Sequence, residues 1–296
     1  MNGFINALSE RILVLDGAVG TELMRRGGKG CLEAMTLDNE AAVAAVHEDY
    51  LDAGADIITT DTLCADALCL EHFGLSERSY EIARRGAEIA RACADRYSTP
   101  QRRRFVAGSV GPSTRNISLA NDVTEERLGE VYETVIRGLL DGGADIILVE
   151  TVMDSRNAAI AAERCRKLDA GVPVAVSAVL SRLEGRVANG APIATFLKEL
   201  PMEDIAVAGF NCSDSPRAMG ASLEMLAALC GKPVAAYPAA GEPSVGAEKF
   251  VRGMEEYCRK GLVNIVGGCC GTTPEYISLL SRMAAKHAPR VFAPER

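Results

Sequence analysis

Tryptophan is absent from the 296-residue chain, histidine occurs three times, and aromatic residues make up 5%. So few aromatics leave little from which to build a cation-π cage around a quaternary ammonium such as betaine. His47, His72 and His287 each sit in a segment of helical period, which gives little support to a Ser-His-Asp triad or a histidine-rich metal site. P-loop, HExxH and GxGxxG patterns are missing as well. No apolar run approaches the ~20 residues needed to cross a bilayer, so no membrane partner is expected. Basic residues form one block only, Arg102-Arg103-Arg104, which reads as a solvated loop ahead of a strand. With a formal net charge of −8, nucleic acid is not an expected partner. The first eight residues lack a basic start and Glu10 and Arg11 close off their apolar stretch, so no secretory signal is visible and a cytoplasmic location is expected.

What is abundant points elsewhere. Hydrophobic residues at 48% and charged residues at 24% describe a globular chain, and its length suits one large α/β barrel. Ten cysteines without a signal sequence argue against a disulfide framework, leaving buried small side chains or metal ligands. Eight short runs rich in Val, Ile and Ala, at 12–16, 56–61, 105–110, 145–150, 173–179, 205–212, 233–239 and 263–270, alternate with segments of helical period. They are nearly continuous rather than alternating, as for parallel strands buried on both faces. Between two of them, 124–140 puts Leu128, Val131, Tyr132, Val135 and Leu139 on one helical face, with Thr124 as N-cap. Gly54-Ala55-Asp56-Ile57-Ile58 is echoed by Gly143-Ala144-Asp145-Ile146-Ile147, each a glycine-capped helix exit entering a strand. Eight such units predict a (β/α)8 TIM barrel occupying 1–296 as a single domain, with an open doubly wound sheet as the weaker alternative.

In such a barrel the strand ends converge on one mouth. Two of the expected ends carry Cys212 and the pair Cys269-Cys270, and the glycines at 267, 268 and 271 permit the turn that adjacent cysteines need to share one ion. Thr273 and Pro274 then start the next helix, Thr273 as N-cap. Three thiolates with one open position make a catalytic zinc site, whereas structural zinc fills all four places with protein. The competing readings are two packed thiols, a vicinal disulfide, or metal-free redox chemistry. A trithiolate centre is suited to a fourth sulfur, whose proton it removes, so alkyl transfer to a thiol is the expected reaction. Asp16 and Glu150 also end strands, and together they suit the ammonium of an amino-acid substrate. Thr60, Asp61 and Thr62 end the second strand and either line the pocket or cap the following helix. Cys64 lies just beyond them, a bystander or a packed side chain; Cys31, Cys69, Cys93, Cys165, Cys230 and Cys258 have no partner at metal-ligand spacing and read as structural.

These residues lie in stretches that resemble the homocysteine S-methyltransferase family, most closely the homocysteine-binding barrel of cobalamin-dependent methionine synthase. The stretches are ILVLDGAVGTEL from Ile12, GADIITTDTL from Gly54, AGSVGPS from Ala107, GADIILVETVMDSRNA from Gly143, GFNCS from Gly209, YPAAGEP from Tyr237 and NIVGGCCGTTPEYI from Asn264. The resemblance implies that Cys212, Cys269 and Cys270 hold Zn2+ and that Asp16, Gly17, Thr60 and Glu150 bind homocysteine, which is methylated to methionine. One barrel takes up all 296 residues, so it further implies a donor on a separate molecule, either a methyl-corrinoid protein or a sulfonium of the S-methylmethionine type. The chain departs from the family pattern at Ala239, where Asn is common and can serve as zinc's fourth ligand, and at Asp61 and Leu63, where Asn and Phe are commoner. A rival reading is a non-catalytic zinc-binding or thiol-sensing subunit of a methyltransferase assembly.

Overall fold

The computed structural model describes residues 3–241 and 243–292; Glu242 of the YPAAGEP stretch, the first two residues and the last four lie outside the described residues. Eight parallel strands form one sheet: β1 Leu13–Val14, β2 Ile57–Thr59, β3 Phe105–Val110, β4 Ile146–Val152, β5 Val174–Val179, β6 Val207–Cys212, β7 Val234–Pro238 and β8 Ile265–Val266. Each pairs with the next, and β8 returns to β1 through Leu13↔Ile265 and Val14↔Val266. The remaining seam closes at the bridge Leu15↔Ile57, where the Asp16 N–H donates to Ile57 O at 2.9 Å and the Asp56 N–H to Val14 O at 2.7 Å. The (β/α)8 barrel expected from the alternating runs is the architecture found. Its strands fall inside or across all eight expected runs, β3 matches to the residue, and β1 and β8 are shorter because their ends turn early into the loops of the mouth.

Helices follow the strands for the reasons legible in their sequences. Glu125–Asp141 starts at Thr124, whose side chain accepts the Arg127 N–H, and it buries Leu128, Val131, Tyr132, Val135 and Leu139. Pro274–Ala284 starts with Pro274 as expected, but Thr273 makes no side-chain cap bond. Thr273 is extended there, and the Pro274 ring supplies the fixed φ instead.

Inside the barrel the character of the inward residues changes with height. Leu13, Leu15, Ile57, Phe105, Ala107, Ile146, Leu148, Ala175, Val207, Ala235 and Ile265 form one apolar cluster. The helix Gly3–Glu10 closes it from below, with Phe4 and Leu8 buried and the Phe4 ring edge-on to Phe105 at 5.4 Å. Two residues further along the strands, or four on β6, the same inward parity gives Thr59, Ser109, Glu150, Ser177, Asn211 and Tyr237, all buried. A polar floor thus lies over an apolar plug.

The strand starts are pinned by charge. Asp56, 1% exposed, accepts from Arg11 Nη1 at 2.7 Å, Arg102 Nε at 2.8 Å and the Val14 N–H at 3.0 Å, and Arg104 Nη1 lies 3.4 Å away. Asp145 plays the same part on β4, accepting from Arg91, Arg103 and the Val106 N–H. The basic triplet is therefore not the solvated loop its composition suggests, because each guanidinium has a carboxylate at a neighbouring strand start. Removing an acid that holds buried cations leaves them uncompensated, at a cost of roughly 3–5 kcal/mol. Asp56→Ala should lose that much stability in urea unfolding; a loss under about 1 kcal/mol would show that the cluster is peripheral to the fold.

Candidate metal and substrate site

Cys212 is the last residue of β6, and its backbone leaves the strand at φ 57°, a left-handed conformation rare for a side chain of this kind. Its carbonyl accepts the Ala239 N–H at 2.6 Å. Beyond β8 the chain runs through Gly267 and Gly268 into Cys269, whose N–H donates to Pro238 O at 2.9 Å and whose carbonyl takes the Thr272 N–H and hydroxyl at 3.0 and 2.7 Å. Cys270 O accepts the Ala240 N–H at 2.9 Å, and Gly271 completes the turn at φ 78°. The loop after β7 is thus the template that both cysteine segments bond to. Cys212 Sγ lies 2.9 Å from Cys269 Sγ and 3.6 Å from Cys270 Sγ, with 4.0 Å between the last two. This is the one trio of His, Cys, Asp or Glu gathered at metal-binding separation among the described residues.

Sulfurs bound at about 2.3 Å to a tetrahedral ion stand about 3.8 Å apart, and the three separations bracket that value. All exceed the ~2.05 Å of a disulfide, so the chain presents three free thiols. Cys212 and Cys269 are half-buried while Cys270 is exposed, which opens the fourth corner of such a tripod toward the mouth. Ala239, whose N–H bonds to the Cys212 carbonyl, has only a methyl side chain, which cannot supply a ligand. The thiols also share hydrogen bonds: those from Cys212 and then Cys269 pull Cys270 down, and the bond to Cys212 holds Cys269 up. Negative charge consequently gathers on the exposed sulfur. Cys64 is not part of the cluster; its N–H donates to Glu33 Oε1 at 3.1 Å.

The expected carboxylates lie at the same end of the barrel. Asp16 accepts the Thr59 N–H at 2.8 Å and the Thr59 hydroxyl at 3.1 Å, and Glu150 accepts the Ser109 hydroxyl at 2.6 Å. Gly17 follows Asp16 where a Cβ would stand 2.8 Å from Thr272 Oγ1 and from the Tyr50 ring, so only glycine lets this turn lie against the cysteine loop. Thr60 is placed differently from its neighbours. Its hydroxyl accepts the Ser109 N–H at 2.9 Å and meets Thr62 Oγ1 at 2.5 Å, so it ties β2 to β3, while Thr59 is the threonine that reaches Asp16. Asp61 is buried with Oδ2 lacking a hydrogen-bond partner, and the hydroxyls of Tyr237 and Ser177 are likewise unpartnered.

A family model for homocysteine S-methyltransferase matches residues 13–284. The chain belongs to the homocysteine S-methyltransferase family. Among solved structures, the oxidised form of the Escherichia coli homocysteine methyltransferase MmuM is similar at 26% identity and a TM-score of 0.78, covering 92% of this chain and 95% of that one. The metallated form of the same enzyme follows at 25% identity, a TM-score of 0.77, and 92% and 96% coverage. An active domain of a Pyrococcus furiosus chitinase, at 11% identity, a TM-score of 0.56, and coverage of 94% and 96%, shares the fold alone. Enzymes of the homocysteine S-methyltransferase family act on a substrate carrying an ammonium, a carboxylate and a thiol, and the electrostatics of this mouth bear on the first of these.

Burial pushes Asp16 well up, lifts Glu150 to about 7 against the pull of the Ser109 hydroxyl, and lifts Asp61 to about 8 with Glu33 adding repulsion. Among the described residues no cationic side chain offsets any of them. The sequence pointed to Asp16 and Glu150 but not to Thr59, Ser109, Asn211, Tyr237 or Ser177. The available signal was strand parity, since each is an inward position at or near the C-terminal end of its strand.

Because the folded protein holds Glu150 near 7 against an ordinary 4.5, folding favours its protonated form. The stability this confers is complete below about 4.5 and is lost as pH rises through about 7, to the extent of roughly 3 kcal/mol. Glu150→Gln should therefore melt several degrees above wild type at pH 8 and level with it at pH 4.5. Equal melting temperatures at both pH values would mean that the carboxyl is solvated.

Proposed function

We propose that the protein transfers a methyl group to the sulfur of homocysteine at a zinc centre held by Cys212, Cys269 and Cys270, producing methionine. The observation that carries this reading is the convergence of the three sulfurs beside buried carboxylates that lack cations. Zinc, when bound, supplies a Lewis acid that lowers the pKa of a substrate thiol so that it reacts as a thiolate at neutral pH.

The chain's own residues orient the rest. Asp16 and Glu150 accept hydrogen bonds from the substrate ammonium, fixed in direction by Thr59 and Ser109. Gly17 lets the turn that follows β1 and carries Asp16 lie against the cysteine loop, and Thr60 acts through the backbone it holds between β2 and β3. With the amino acid anchored at one end, its sulfur reaches the open corner next to Cys270. The sulfur then displaces the donor's leaving group from the methyl carbon; a carbon–sulfur bond forms as the donor's bond to methyl breaks, and the electron pair leaves with the donor. The shortage of aromatics disfavours a betaine cage. We read the donor as a small sulfonium rather than a methyl-corrinoid protein, since buried acids with no partner cation among the described residues can ionise against a bound cation.

Purified protein should hold about one zinc per chain by this reading, with Cys212→Ala losing tight binding; a variant that keeps its metal would remove Cys212 from the ligand set. Methionine should form from homocysteine with S-methylmethionine as donor. Turnover with a methylated corrinoid protein alone would overturn the donor assignment. Glu150→Gln should weaken homocysteine binding roughly 10- to 100-fold, and in wild type the KM should climb as pH falls through about 7 and Glu150 takes up its proton. A KM flat across that range would free Glu150 of this role.

A further inference from the structure

Asn211 precedes Cys212 on β6 and is fully buried. Its side-chain oxygen accepts the Thr151 N–H at 3.0 Å, which fixes which end of the carboxamide is which. The amide nitrogen then has two hydrogens to place. One goes to Thr151 Oγ1 at 3.0 Å; the other points toward Cys269 Sγ, 3.9 Å away at the long end of N–H···S range. Every strong donor and acceptor of the group is thereby committed.

The residues it joins are unusual in the same way. Among the described residues, Thr151 and Cys212 are two of the three non-glycine residues with positive φ, at 58° and 57°. Such a conformation is unfavourable for a residue with a side chain and persists only where its surroundings over-determine it. Thr151 directly follows Glu150, and its strained turn breaks the register between β4 and β5 from Val149 to Val152. One carboxamide therefore touches the cysteine pair after β8, belongs to the strand that carries Cys212, and grips the backbone that carries the acid.

We propose that Asn211 is a positioning residue that sets the distance between the metal centre and the ammonium-binding acid, and that its N–H toward Cys269 holds that sulfur in the place from which it would bind the ion. The proposal rests on the reading of the three cysteines as zinc ligands. It goes beyond that reading by coupling metal affinity to homocysteine affinity through one side chain that touches neither the substrate nor the ion. Partners of this kind, outside the ligand set, typically alter metal affinity 10- to 100-fold.

The test compares wild type, Asn211→Ala, Thr151→Val and the double variant. Three measurements apply to each: zinc affinity by chelator competition, the sulfur-to-metal charge-transfer band after Co2+ substitution, and KM and kcat for homocysteine. Asn211→Ala should weaken zinc roughly 10- to 100-fold, shift the Co2+ band to longer wavelength as Cys269 loses its donor, and raise KM more than it lowers kcat. Thr151→Val removes only the hydroxyl that holds the carboxamide and should show the same changes at smaller size. Because both act through one contact, the double variant should be no worse than Asn211→Ala. Wild-type affinity and an unshifted band in a folded Asn211→Ala would overturn the proposal. If Asn211→Ala does not fold, Thr151→Val decides by the same readouts. A wild-type protein that takes up no zinc would overturn the metal reading and this proposal together.

Discussion

Three sulfurs from two segments 57 residues apart in sequence must arrive within 4 Å of one another, and the barrel achieves this through backbone bonds to the strand between them. β7 lies between β6 and β8, and Pro238, Ala239 and Ala240 receive or supply the bonds that fix Cys212, Cys269 and Cys270. Both cysteine segments are thus referenced to the same short loop, and neither depends on the other's side chain to find its place. The registers Cys212↔Pro238 and Ala236↔Val266 are what hold the geometry. A slip of one residue in either would turn a thiol out of the mouth, because inward and outward positions alternate along a strand.

Most of the architecture was readable in the sequence because buried parallel strands are nearly continuous in apolar residues and the helices between them keep a clear period. The cysteine trio was readable because strand ends converge in a barrel and few other functions require a Cys-Cys pair between glycines. Three features were not. The arginine triplet looked like a solvated loop, since composition alone does not reveal that Asp56 and Asp145, distant in sequence, face it. Thr60 was singled out and Thr59 was not, although the pleat turns Thr60 toward Ser109 and Thr59 toward Asp16. Asn211 was passed over beside a more conspicuous cysteine, and its partner Thr151 owes its importance to a backbone angle that no composition encodes.

The same mouth explains why activity and stability pull against each other here. A carboxylate that will bind an ammonium must be left without a resident cation, and burial then keeps it partly protonated and costly to ionise. Asp16 is tied by a threonine, and Glu150 by a serine with the Tyr237 hydroxyl also favouring its charged form, enough to aim them and not enough to neutralise them. Arrival of a cationic substrate would favour the charged form of these acids, so binding free energy goes partly into ionising groups the empty protein holds partly neutral.

β4 states this division within a single strand. At its start Asp145 accepts from two arginines and a backbone N–H, as fully compensated as Asp56 on β2. Five residues later Glu150 has the hydroxyls of Ser109 and Tyr237 and, among the described residues, no cation. The two acids are chemically alike and face opposite ends of the barrel, and they are treated oppositely because those ends do different work. Compensation at the strand starts holds the eight strands in register, and withheld compensation at the strand ends leaves charge available to a ligand. The thiol cluster depends on both, since its sulfurs meet only while the register holds and serve a substrate only while the neighbouring acids remain unpaired.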